Sequence, residues 1–157
     1  MEQYQKFMII NGLLIVLVAM LAGFMLIFSL IGGLELWPGY ILQIPVYGTE
    51  AGWVRAHSGG ITNGLLVLVI GTILPKFDFE GLFKKLVSYG FVYVAWSFTV
   101  FYWFGNAAGN RALTLGDNPL GSSDLAGIVG FLPAFPSVFI VLFLLGICVR
   151  GCLTTRS

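Results

Sequence analysis

The stretch FMIINGLLIVLVAMLAGFMLIFSLI, residues 7–31, decides the fold class. Only Asn11, Ser29 and small residues interrupt it, and a helix needs about 20 apolar residues to cross the hydrocarbon core of a bilayer. A secretory leader has a shorter apolar centre of about 7–15 residues, and no small-x-small cleavage site follows this one. The stretch therefore reads as a membrane helix. Three more uncharged apolar stretches follow, at about 54–74, 86–104 and 125–149. Gly32-Gly33 and Pro75 stand where helices are expected to stop. The runs are continuously apolar, whereas a closed barrel needs alternation with a period of two. The expected architecture is an all-α membrane protein, a four-transmembrane-helix antiparallel bundle, with residues 1–157 forming a single integral membrane domain.

Composition points the same way. Of 157 residues, 58% are hydrophobic and only 10% are charged, with a mean hydropathy of +0.94; soluble domains carry about 25% charged residues. A net charge of +1 leaves no clustered basic face for nucleic acid. Lys6, Lys76, Lys84, Lys85, Arg150 and Arg156 fall beyond one end of the spans, against Arg55 and Arg111 at the other. The positive-inside rule then predicts cytoplasmic termini and a cytoplasmic short loop, Pro75 to Lys85. The longer connections, Gly32 to Trp53 and Gly105 to Asp124, face outward, with Trp37, Tyr40, Tyr47 and Trp53 placed for an aromatic belt. Cys148 and Cys152 sit four apart near the end of the last span and read as reduced thiols. Without a neighbouring His or acid they make a poor zinc site.

Polar residues inside spans are the informative ones in a chain solvated by lipid. The second span opens with Trp53-Val54-Arg55-Ala56-His57-Ser58-Gly59-Gly60-Ile61-Thr62-Asn63-Gly64. Unpaired in hydrocarbon, such groups cost several kcal/mol each, so they face protein, water or a ligand. His57, the only histidine, has two readings: a residue hydrogen-bonded to a neighbouring helix, or an axial ligand of haem iron. Gly60 and Gly64, with Gly59, let either a flat bulky group or another helix approach the backbone. Asn63 lies about 120° around the helix from His57, so the two do not share a face. It reads either as an interhelical hydrogen bonder or as a group beside a ligand. Arg55 and Arg111 are placed to hold haem propionates or to snorkel at the interface. Tyr102, near the outer end of the third span, can present a phenol at the level of His57. Tyr93, Trp96, Ser97 and Trp103 read as core or belt, Glu35, Glu50 and Asp117 as solvated or capping residues, and Asp124 as the N-cap of the fourth span.

Several of these segments carry a resemblance. Gly52-Trp53-Val54-Arg55-Ala56-His57-Ser58-Gly59, followed by Asn63-Gly64, resembles the styrene oxide isomerase family. So do Pro38-Gly39-Tyr40-Ile41 and Phe101-Tyr102 with Asn110-Arg111-Ala112-Leu113-Thr114-Leu115-Gly116, in the same order along most of the chain. The resemblance implies a multi-pass protein of the bacterial inner membrane, a homotrimer with ferric haem b held between subunits. It also implies an isomerase that turns aryl epoxides such as styrene oxide into aldehydes such as phenylacetaldehyde, the Meinwald rearrangement used in styrene degradation. His57 would then be the axial ligand, with Asn63 and Tyr102 beside the epoxide oxygen and an epoxide-forming monooxygenase upstream. One departure is plain: the acid that precedes Gly-Trp-Ser in the family's third helix is missing from Tyr93-Val94-Ala95-Trp96-Ser97, which bears on the preferred epoxide. Two other functions compete with this one, a membrane b-type cytochrome and a haem-free small membrane scaffold or transporter.

Overall fold

A computed structural model describes residues 1–154; Arg156, one of the cations used to orient the chain, lies outside the described residues. The helices are α1 (Gln3–Ile31), α2 (Glu50–Ile73), α3 (Gly81–Ala107) and α4 (Leu125–Thr154). Each is long and apolar enough to cross a membrane. The 29 residues of α1 extend about 43 Å, more than the roughly 30 Å hydrocarbon core. All four run past the apolar stretches seen in the sequence, because polar first and last turns still make helical hydrogen bonds outside the hydrocarbon.

α1 packs on α2 and α3 on α4, with further contacts between α2 and α3 and between α1 and α3. The α1–α2 seam is rich in small residues. Met8, Gly12, Ile15, Ala19 and Ala22 are the buried residues of α1, a spacing of four and three that keeps one stripe against a neighbouring helix. α2 answers with Ala56, Gly60, Gly64, Val67 and Gly71. Without a hydrophobic drive between helices in lipid, such close backbone approach supplies the dispersion contact that holds them together. Most of the large apolar side chains of α1 and α4, such as Leu13, Leu17, Phe24, Leu142 and Phe143, point outward. In the half of the bundle that holds the termini, Met8, Val67, Leu74, Val87, Phe91 and Leu144 form the core. A polar tie crosses it, Trp96 Nε1 donating to Asn11 Oδ1 at 2.9 Å.

Helix ends follow their sequence signals. Gly32 caps α1 in the left-handed region at φ 76°. Asp124 Oδ1 accepts from Gly127 N at 2.7 Å, so Asp124 does cap α4. α2 runs into a single 3-10 turn, Leu74–Lys76, at Pro75. Cys148 is buried, Cys152 is exposed, and both thiols are free.

The first long connection differs from a plain loop. It contains an antiparallel hairpin, β1 (Gly33–Trp37) and β2 (Tyr40–Gln43), turned at Pro38-Gly39. Gly39 has φ 83°, and Glu35 Oε1 accepts from its N–H at 2.8 Å. Proline followed by a residue of positive φ is the signature of a type II turn, so the signal was in the sequence. Trp53 also departs from the expected aromatic belt. It is fully buried, packs edge-on against Trp103 with centroids 5.2 Å apart, and donates from Nε1 to Tyr47 O. Its position in the first turn of α2 points it at α3 instead of at the membrane surface.

Candidate functional site

The polar turns of α2 face two directions. His57 turns toward α1, where its Nδ1 lies 2.9 Å from the carbonyl oxygen of Ala19. A carbonyl only accepts, so Nδ1 carries the proton and the neutral ring has a bare Nε2. That nitrogen has no hydrogen-bond partner among the described residues. The ring lies in an outward-facing groove of about 360 Å³, lined by Met20, Gly23, Phe24, Leu26 and Ile27. The surroundings are apolar, and the imidazole is the groove's one polar side chain.

Gly59 and Asn63, one turn apart, face α3 instead. The Tyr102 ring covers Gly59 so closely that an added Cβ would lie 2.6 Å from Cε2 and 3.1 Å from the hydroxyl oxygen. The Asn63 side chain approaches the Tyr102 hydroxyl closely enough to interact with it. Its Nδ2 atom is nevertheless buried with no partner. A donor stranded in this way costs about 1–3 kcal/mol, a penalty that a ligand acceptor would remove. Asn63 and Tyr102 thus form a pair. His57 opens on a different side of α2, in agreement with the helical spacing.

Gly60 and Gly64 are filled by α1. A Cβ at Gly60 would meet Ala19 Cβ at 2.7 Å, and one at Gly64 would meet Val16 Cγ2 at 2.6 Å. Of the two readings open for these glycines, helix approach is the one the structure displays.

Arg55 and Arg111 line one cleft with Phe101, Tyr102, Asn106 and Leu113. Arg55 Nε donates to Ala51 O at 3.2 Å, and neither guanidinium has a carboxylate partner among the described residues. Arg111 is carried by an unusual turn in which it and Ala112 both have positive φ, 56° and 54°. Left-handed backbone costs a non-glycine residue roughly 1–2 kcal/mol. Asn110, fully buried, compensates: its Nδ2 donates to Thr114 O and Gly116 O, and its Oδ1 accepts from Ala112 N. Asn118 ties the same loop to Asn110 O and Thr114 Oγ1.

Sequence reasoning missed Asn106. Its Oδ1 accepts from Thr49 N and Oγ1, fixing the cap of α2 beside the arginine cleft, while its Nδ2 is buried and unpartnered. Gly48 and Gly52, which carry no Cβ to collide with Asn106, were the available hint. In the third helix, where the carboxylate of the resembling family is missing, Val94 and Ala95 are each 3% exposed. The polar partner of Trp96 is Asn11 on α1.

The donor set is selective. Among the described residues no group of three or more His, Cys, Asp or Glu converges, so the side chains alone do not form a cage for a bare ion. A lone imidazole with its outer nitrogen free suits a metal that brings its own planar ligands, and two unpaired arginines suit the carboxylates of such a group.

Comparison with known proteins places the chain in a family. The chain matches the family model "Styrene oxide isomerase" over residues 4–153. It is similar to the styrene-oxide isomerase of Pseudomonas fluorescens, 34% identical over 135 residues that cover 86% of this chain and 80% of that one. Matched to the family model along nearly its whole length, the chain is an isomerase that belongs to the styrene oxide isomerase family.

Proposed function

We propose that this protein rearranges an aryl epoxide such as styrene oxide to the aldehyde phenylacetaldehyde, with haem b seated on His57. The observation that carries the reading is the single imidazole held through Nδ1, its Nε2 bare in an apolar groove. His57 would hold the haem, which would supply a Lewis acid for the epoxide oxygen. The chain's own groups do the rest. The rearrangement breaks the benzylic C–O bond and shifts a hydride from the neighbouring, oxygen-bearing carbon to the benzylic carbon, leaving that oxygen as the aldehyde carbonyl, so no net electron or proton is exchanged. Side chains then need only orient the oxygen and stabilise its growing negative charge. Asn63 Nδ2, a buried donor without a partner, and the Tyr102 hydroxyl beside it are the groups for this, and donors pre-aimed in a dry site lower barriers most. Apolar walls keep out the water that would otherwise open the epoxide to a diol.

Arg55 and Arg111 hold the haem propionates in this reading, as bidentate donors that lack a carboxylate of their own. Because α2 separates the His57 groove from the Asn63–Tyr102 pair, a second copy would complete the site, as in the homotrimer with haem between subunits that the family resemblance implies. The cation distribution favours cytoplasmic termini, and the family resemblance a bacterial inner membrane location. The hydrophobic substrate would arrive through lipid, from a monooxygenase that epoxidises an alkene. In the test, detergent-purified protein is examined for a Soret band that shifts on adding styrene oxide and for phenylacetaldehyde formation. His57→Ala should lose both band and turnover. Full activity without the imidazole would refute the assignment.

A further inference from the structure

We propose that Gly23 of α1 is a positioning residue for His57: with the Ala19 carbonyl it forms a slot that holds the imidazole as its Nδ1–H tautomer and presents Nε2. Its use in catalysis rests on the haem reading above; the slot itself does not. A Cβ at Gly23 would lie 2.8 Å from His57 Nδ1 and 2.9 Å from Cε1. The ring therefore lies on the bare backbone of α1, where any side chain would displace it. Ala19, one turn earlier, offers the oxygen at 2.9 Å. A carbonyl has two lone pairs, so it accepts from the imidazole while also serving the helix.

The two helices are already in close contact here. Ala19 is 1% exposed and Ala56 is 1% exposed, and Gly60 already brings α2 against Ala19 with no space for a methyl group. An alanine at 23 must therefore be accommodated by the ring, which swings away from the Ala19 oxygen and loses the bond that selects its tautomer. Large residues surround this glycine along α1, among them Leu21, Phe24 and Met25. A partner that orients a ligating imidazole through its second nitrogen typically contributes a factor of about 10–100 in metal affinity.

The chain has one histidine, so ring-15N labelling gives a single assigned pair of imidazole nitrogens. In the full chain in detergent at alkaline pH, without added haem, Nδ1 should appear protonated and Nε2 bare. Gly23→Ala should reverse or average that pattern and weaken ferric haem retention by roughly tenfold. Gly12→Ala is the control. Its Cβ would meet Leu68 Cγ at 2.8 Å and Gly64 O at 3.0 Å, loosening the same seam without touching His57, so the pattern should survive. A protonated Nε2 in the unsubstituted chain overturns the proposal whether or not Gly23→Ala folds, and so does an unchanged pattern in Gly23→Ala. If the pattern is as expected but ferric haem binds His57→Ala as well as the parent chain, the slot stands and the haem reading fails.

Discussion

Replacing Gly59 by alanine tests whether the Tyr102 phenol acts where the structure places it. The new methyl group would lie 2.6 Å from Tyr102 Cε2 and 2.8 Å from Cζ, whereas ordinary contact begins at 3.4 Å. The ring edge must therefore retreat by about 0.8 Å, the difference between 3.4 and 2.6 Å. It can do so cheaply, because the displaced atoms are the far end of a side chain and not backbone. Fold stability should consequently change little, and the gain in helix propensity on replacing glycine, up to about 1 kcal/mol, offsets part of the strain. Catalysis is less forgiving: displacing a reacting group by about 1 Å costs on the order of 100-fold in rate, or roughly 2.7 kcal/mol. Gly59→Ala should thus keep its thermal midpoint and its Soret band while kcat for phenylacetaldehyde formation falls about 10- to 100-fold. Tyr102→Phe should cost a comparable factor, and the double variant should be no worse than the poorer single one, because both remove the same contact. Turnover within twofold of the parent in Gly59→Ala would show that the phenol does not meet the substrate from this position.

Asn63→Leu removes a buried amide whose Nδ2 makes no well-formed hydrogen bond; thermal stability should change by no more than about 1 kcal/mol while kcat drops roughly 100-fold, and a parallel fall in stability would instead mark Asn63 as structural. Asn110→Ala deletes three side-chain hydrogen bonds and leaves the positive-φ turn unsupported, so detergent unfolding should show a loss of about 2–4 kcal/mol, accompanied by weaker haem retention if Arg111 holds a propionate. Burial pushes the Tyr47 phenol above its ordinary value. The stability it contributes is therefore complete below the unfolded value, about 10, and is lost as pH rises past the folded one. Ultraviolet titration should show Tyr47 ionising later than free tyrosine, and Trp53→Ala, which removes the ring packed 5.0 Å from it, should shorten the delay.

Much of this protein was legible from residue order alone. Lipid cannot hydrogen-bond a backbone, so only long apolar helices cross it, and residues 7–31 announce one without any tertiary information. Gly32 and Asp124 end and begin helices through bonds within a few residues, which is why both were read correctly. The angular separation of His57 and Asn63 likewise follows from helical periodicity. What periodicity leaves open is the neighbour on each face. The partner of His57 is an alanine carbonyl 38 residues away, invisible in sequence because every residue has a carbonyl. The bond from Asn106 to Thr49 spans 57 residues, and Trp53 turned inward because α3 happened to lie beside its turn of α2. Sequence by itself determined how many times the chain crosses the membrane and which residues are polar there, since the bilayer enforces both locally. Tertiary structure decided which of those polar atoms are satisfied and which are left bare, since that depends on helices meeting at distances of one methyl group.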